Sequence, residues 1–200
     1  MRNSLAILLL VSISAINAAA STRRRSTRGH STGHPTRREY VHKTYGKGAA
    51  LAATGTGAFN HLRNSPKQWG RSPGGFGKRV ASAFGTHAIK NTIEYGVAGI
   101  RHEDLHYQKS TDRRFSRRLR HALVSTVVTH KTTTGKRTAA AGKISGSMGA
   151  GLISRTWQPA AMHTVSSGVA TGGILLGGEA AANVAREFIP ARRHRHRRRG

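Results

Sequence analysis

The chain has 200 residues, with 34 Lys and Arg against 7 Asp and Glu and no cysteine. That length holds one domain with tails. The missing thiols exclude a disulfide scaffold and a cysteine nucleophile. The formal charge of +27 at pH 7 bears on partners and solubility and points to polyanions, without specifying a fold.

Residues 1–20 have the layout of a secretory signal peptide. Arg2 gives a positive start, Leu5 to Ile16 form an apolar block, and Ala18-Ala19-Ala20 supply small side chains before Ser21. The expectation is an exported protein of the periplasm or cell envelope that starts near Ser21. A retained anchor is the alternative, although an apolar run of about 16 residues falls short of the roughly 20 that cross a bilayer. A transit peptide is another, although this block is apolar all round instead of amphipathic. Arg23, Arg24, Arg25 and Arg28 on the far side of the block oppose simple export.

Residues 21–47 read as a disordered basic arm of Ser, Thr, Arg, Gly and His with almost nothing to bury. Residues 48–189 read as the folded domain, an all-α, glycine-rich bundle of about five helices. The first runs over Ala49–Leu62. A loop marked by Ser65-Pro66, Trp69-Gly70 and Ser72-Pro73-Gly74-Gly75 follows. Phe76 to Arg101 is the clearest helix. Phe76, Val80, Phe84, Ala88 and Tyr95 form one apolar stripe, and Ile89, Ile93, Val97 and Ile100 a neighbouring one.

Ser110-Thr111-Asp112 supplies cap chemistry for the next helix. Its Phe115, Leu119, Leu123 and Val127 point one way, and Arg113, Arg114, Arg117, Arg118 and Arg120 occupy its other faces. Val and Thr also permit a strand over Leu123–Thr129, but no stretch alternates cleanly, so helices are preferred. Thr132-Thr133-Thr134-Gly135 ends this segment. Ala139–Trp157 and Met162–Ile189 are the last two helices. Residues 190–200 read as a disordered Arg/His tail opened by Pro190.

The pairs Gly142/Gly146, Gly168/Gly172 and Gly173/Gly177 each lie four residues apart. That spacing stacks glycines on one helix face, where two backbones approach closely. It suits a tightly packed bundle, and it also suits helices embedded in a membrane.

One motif has a catalytic look: His102-Glu103-Asp104-Leu105-His106 matches H-E-x-x-H. In zinc peptidases that spacing puts two imidazoles on one helix face with the Glu as base. Here it lies at a helix end, Asp104 puts a charge inside it, and no Glu follows until Glu179 to act as a third ligand. A zinc-dependent hydrolase using His102 and His106, with Glu103 as base, is therefore an alternative, and the expectation is no enzyme, no cofactor and no metal. For nucleic acid the aromatic interleaving is thin, with only Tyr40 and Tyr45 in the arm.

Asn60-His61, Arg63-Asn64-Ser65-Pro66, Trp69-Gly70, Phe76-Gly77-Lys78-Arg79, His102-Glu103-Asp104 with Tyr107, His121-Ala122-Leu123, Trp157 with Pro159, and Arg186-Glu187-Phe188 with Pro190 are the short motifs that carry a resemblance. Over about Ala58 to Pro190 the chain resembles a family of uncharacterised, exported bacterial helical proteins. The resemblance implies an exported helical domain and no established activity. In that family His-Glu-Asp continues Pro-Arg-Tyr, whereas this chain has Leu105-His106-Tyr107.

With Arg2 removed, 33 of the 34 Lys and Arg face 7 acids. The expectation is a non-enzymatic envelope protein that binds anionic lipid headgroups or polysaccharide. Its candidate contacts are Arg23, Arg24, Arg25, Arg113, Arg114, Arg117, Arg118, Arg192, Arg193, Arg195, Arg197, Arg198 and Arg199. A membrane-embedded helical protein packed through glycines is the alternative.

Overall fold

The computed structural model describes residues 36–189. The leader, the arm as far as residue 35, and the Arg/His tail lie outside the described residues. Among the described residues there are six α-helices, three single-turn 3-10 helices and one two-stranded hairpin, so the all-α architecture holds.

The first helix corrects the boundary of the arm. α1 (Arg37–Tyr45) lies inside the segment read as disordered. Thr36 starts it with a capping box: the Thr36 hydroxyl accepts from the Glu39 N–H, and the Glu39 carboxylate accepts from the Thr36 N–H, each at 3.3 Å. Tertiary contacts fix it further, because the Tyr40 hydroxyl pairs with the Thr92 hydroxyl at 2.9 Å. Composition concealed these partners, since they come from a helix fifty residues away.

Gly46 then breaks the chain before α2 (Lys47–Leu62). A Cβ on Gly46 would lie 2.2 Å from the His42 carbonyl oxygen, so this sharp junction needs glycine. A loop carrying a 3-10 turn (Lys67–Trp69) leads to α3 (Pro73–Arg101), which starts three residues before Phe76. Ser72 caps it by accepting from the Gly75 N–H at 3.1 Å, and Pro73 occupies the first turn, where no N–H is needed. His102 ends it in the left-handed conformation, at φ 54°.

α4 (Phe115–Val127) begins without the cap expected of Ser110-Thr111-Asp112. The Ser110 N–H instead donates to the Glu187 carboxylate, and the N-terminal cap position falls on Arg114. β1 (Val128–His130) continues directly from α4 and pairs antiparallel with β2 (Arg137–Ala139) across a turn in which Gly135 takes φ 65°. α5 (Ala141–Ser154), two 3-10 turns (Arg155–Trp157 and Ala160–Met162) and α6 (Val165–Phe188) complete the chain. Thr164 caps α6 by accepting from the Ser167 N–H at 3.2 Å.

The principal helix contacts run in a row, α2–α3–α5–α6–α4, with α1 lying on α3. Glycines set the close spacing at the middle of that row. Cβ atoms on Gly142 and Gly146 would each lie 2.8 Å from α3 carbonyl oxygens, those of Glu94 and Lys90. Cβ atoms on Gly168 and Gly172 would lie 2.9 and 2.8 Å from Leu152 Cδ2 and Met148 Sδ of α5. Gly173 and Gly177, at the same spacing, face open space and take no part in packing.

Helices this close leave little room for a core of branched side chains. Every buried apolar side chain among the described residues is an alanine, except Phe59. The buried line along α3 is largely polar, running through Arg79, Thr86, Lys90, Asn91 and Glu94 to Ala98. The apolar stripes predicted for this helix flank that line and are mostly half-buried, with Ile100 exposed. No helix among the described residues is long and apolar enough to cross a membrane.

Candidate functional site

Four groups of charged side chains organise the molecule. The first is a buried ion network at the centre of α3. Lys90 donates to Glu94 at 2.6 Å and to Glu179 of α6 at 2.7 Å, and Lys43 of α1 reaches Glu94 at 3.2 Å. Burial opposes the charge on Lys90, but the Glu179 and Glu94 carboxylates outweigh it and hold the ammonium well above its usual range. Burial works against Glu94 too, and Lys43 and Lys90 keep it below the ordinary carboxylate value. Lys143 of α5 lies nearby, its ammonium donating to the Ser125 carbonyl at 3.2 Å. Burial pushes this lysine down, and Glu179 and Glu94 only partly offset that.

The second group centres on Arg79, which is buried and has no carboxylate partner among the described residues. Its guanidinium donates to the carbonyls of Ser65, Gly70 and Pro66 at 2.9, 2.7 and 2.8 Å and to Asn64 Oδ1 at 3.3 Å. It also contacts His61 Nδ1 at 3.2 Å. Gly75 sits tight beneath it, where a Cβ would lie 2.1 Å from the Trp69 carbonyl oxygen. The short motifs between residues 60 and 79 thus assemble one lock on the loop between α2 and α3.

The third group holds the His102–His106 segment. α3 ends at Arg101 and His102 turns into the left-handed conformation, so His102 and His106 do not occupy successive turns of one helix face. Glu103 is buried. Its carboxylate accepts from Arg101 Nε at 2.8 Å and from the Gly142 N–H at 2.9 Å, and so places a negative charge at the N-terminus of α5. His102 holds the hairpin through its carbonyl, which accepts from the Thr132 N–H at 2.7 Å. Asp104 accepts from both the backbone and Nδ1 of His106, each at 2.9 Å, while Nε2 of His106 faces Glu39 of α1 at 3.3 Å. The Asp104 bond, ahead of the opposing effect of burial, raises the His106 pKa above the ordinary histidine value, with Glu39 adding to it. Among the described residues no three His, Asp or Glu side chains are grouped to hold a metal.

The fourth group anchors α4. The fully buried Glu187 of α6 accepts from the Tyr107 hydroxyl at 2.6 Å, the Ser110 N–H at 3.1 Å and Arg118 Nε at 2.8 Å. Arg118 also donates to the Glu187 carbonyl and lies 4.7 Å over the Phe188 ring. On the same interface the Asn183 amide donates to the Thr126 hydroxyl at 3.2 Å.

These contacts sort the predicted surface cations. Arg118 is half-buried and engaged with Glu187 and Phe188, contacts that hold α4 in place. Arg113, Arg114 and Arg117 are exposed, as is Arg120. Arg117 has a loose pairing with Asp112 at 3.5 Å, worth little at such an exposed site. Arg23, Arg24, Arg25, Arg192, Arg193, Arg195, Arg197, Arg198 and Arg199 lie outside the described residues.

The apolar stripe of α4 also differs from expectation. Ala122 and Thr126 are its buried contacts, whereas Phe115, Leu123 and Val127 are 65%, 48% and 42% exposed. This short helix and the residues before it therefore present large apolar side chains beside four arginines, of which only Arg117 has an ion-pair partner among the described residues. Sequence reasoning missed the part played by Arg79 and Glu187, because their partners are mainly backbone groups and distant residues that carry no sequence signal. The Thr36–Glu39 capping box was visible as T-x-x-E. No protein-family model matches the chain, and no curated protein or solved structure matches it.

Proposed function

We propose that this is an exported, non-enzymatic protein of the cell envelope that docks on anionic lipid surfaces through α4 and its basic tails. The observation that carries the reading is the exterior of α4, where Phe115, Leu123 and Val127 stand exposed beside Arg113, Arg114, Arg117 and Arg120. A helix of this kind lies in the plane of a headgroup layer, with its apolar side chains dipping in and its arginines meeting phosphate. Arg118 and Glu187 hold it to the rest of the fold, so the docking surface is rigid. The leader pattern of residues 1–20 supports export. The engagement of Glu103 and His106 in structural contacts supports a role other than hydrolysis.

The test is co-sedimentation with phosphatidylglycerol vesicles of the full chain and of a variant carrying Arg113→Gln, Arg114→Gln, Arg117→Gln and Arg120→Gln. Each basic residue near an anionic surface contributes about 1 kcal/mol, so the variant should lose at least tenfold in affinity even if the tails compensate in part. Equal binding of the two proteins would contradict the reading.

A second reading, a protein sunk into the bilayer, is favoured by the polar interior together with exposed Leu51, Leu62, Val169 and Ile174. Extraction of native membranes at high pH separates the two: a docked protein is released and an embedded one stays.

A further inference from the structure

Both tryptophans of the chain line one groove, and neither is needed for the docking surface on α4. The groove is open, with a volume of about 530 Å³, and runs along the outer side of α3. Trp69 and Trp157 border it. Ala81, Ser82, Gly85 and Ile89 line it between them, and Lys78 lies among these residues.

Both borders are held in place before anything binds. The Arg79 lock fixes the backbone next to Trp69, through the Gly70 carbonyl at 2.7 Å. The indole N–H of Trp157 donates to the Ser82 hydroxyl oxygen at 3.0 Å, which leaves the Ser82 proton to donate elsewhere.

The chemistry of this lining selects its occupant. Indole faces carry negative charge density and attract the weakly positive face of axial C–H groups on a pyranose chair. Small residues below such a ring let it lie close to the helix, whereas Ile89, the one branched aliphatic side chain in the lining, is too little to wall an acyl chain. The charge is one-sided: Lys67, Arg71 and Lys78 are exposed, and no Asp or Glu occurs between Glu39 and Glu94. We propose that the groove binds a uronic-acid ring of an acidic polysaccharide. The ring lies against the indoles, its carboxylate meets the Lys78 ammonium, and a ring hydroxyl accepts from Ser82. This site is independent of the lipid docking proposed for α4 and uses none of its residues.

Intrinsic fluorescence tests it directly, because the only two tryptophans report from the groove. Tetragalacturonate titrated into the full chain should give a saturable change in emission, and neutral tetragalactose should give none. Lys78→Ala, at an exposed position, should weaken the response about tenfold without changing the thermal midpoint. Gly85→Leu should abolish it by filling the groove, since a Cβ there meets only Trp157, at 3.9 Å. No response to tetragalacturonate, an equal response to the neutral sugar, or an unaltered response in Lys78→Ala would each overturn the proposal. A response confined to phosphatidylglycerol vesicles would assign the groove to lipid and overturn it as well.

Discussion

Arg79 shows how a charged residue can be structural without an ion pair. Its five donors spread over three carbonyls, an amide oxygen and an imidazole, a fan that the planar guanidinium can satisfy and an ammonium cannot. Arg79→Lys should therefore destabilise the fold by about 2 kcal/mol in urea unfolding, although charge is kept; an unchanged midpoint would show that the loop does not depend on the lock. The letters around Arg79 were plain in the sequence, but their common purpose was not, because carbonyl oxygens are the same at every residue. The H-E-x-x-H match is uninformative for a related reason. Its meaning depends on helical geometry, and one left-handed residue, His102, removes that geometry while leaving the spacing intact.

Between elements, packing depends on whether a glycine meets a neighbour. Gly146→Ala would press a methyl against the Lys90 carbonyl and Glu94 Cβ and should cost about 1–3 kcal/mol. Gly177→Ala, in open space within α6, should stabilise by about 0.4–1 kcal/mol. Thermal unfolding of the two variants checks both signs. The four-residue spacing was legible in the sequence for all three glycine pairs; which pairs are used was not, because that depends on how α5 and α6 face their neighbours.

The ion network joining α1, α3 and α6 makes a second prediction between elements. Lys43, Lys90 and Lys143 hold Glu94 and Glu179 below their unfolded value of 4.5. Their contribution to stability is thus complete above about pH 4.5 and is lost as pH falls through the lower folded values. Urea midpoints should stay level as pH drops toward 4.5 as far as these groups are concerned, then decline; Glu179→Gln should make that decline shallower. An equally steep decline in the variant would remove Glu179 from the cause.

At the scale of the whole molecule, a row of helices joined by glycine contacts leaves apolar side chains outside and charged ones within. Binary pattern therefore located the helices well but misjudged which faces are buried: Lys90 and Glu94 are enclosed while Phe115 and Leu123 are not. Exposed apolar side chains of this kind mark an interaction site, and on the proposed reading the net charge of +27 directs that site to an anionic surface. Binding should weaken steeply with salt, since the screening length falls to about 3 Å at 1 M; the apolar side chains of α4 should leave a residual, salt-resistant fraction.

The absence of cysteine permits the most direct measurement, a Leu123→Cys variant labelled with an environment-sensitive fluorophore. Addition of phosphatidylglycerol vesicles should shift its emission to the blue, and phosphatidylcholine vesicles should not. An unshifted probe on protein that co-sediments with the anionic vesicles would show that α4 does not face the lipid.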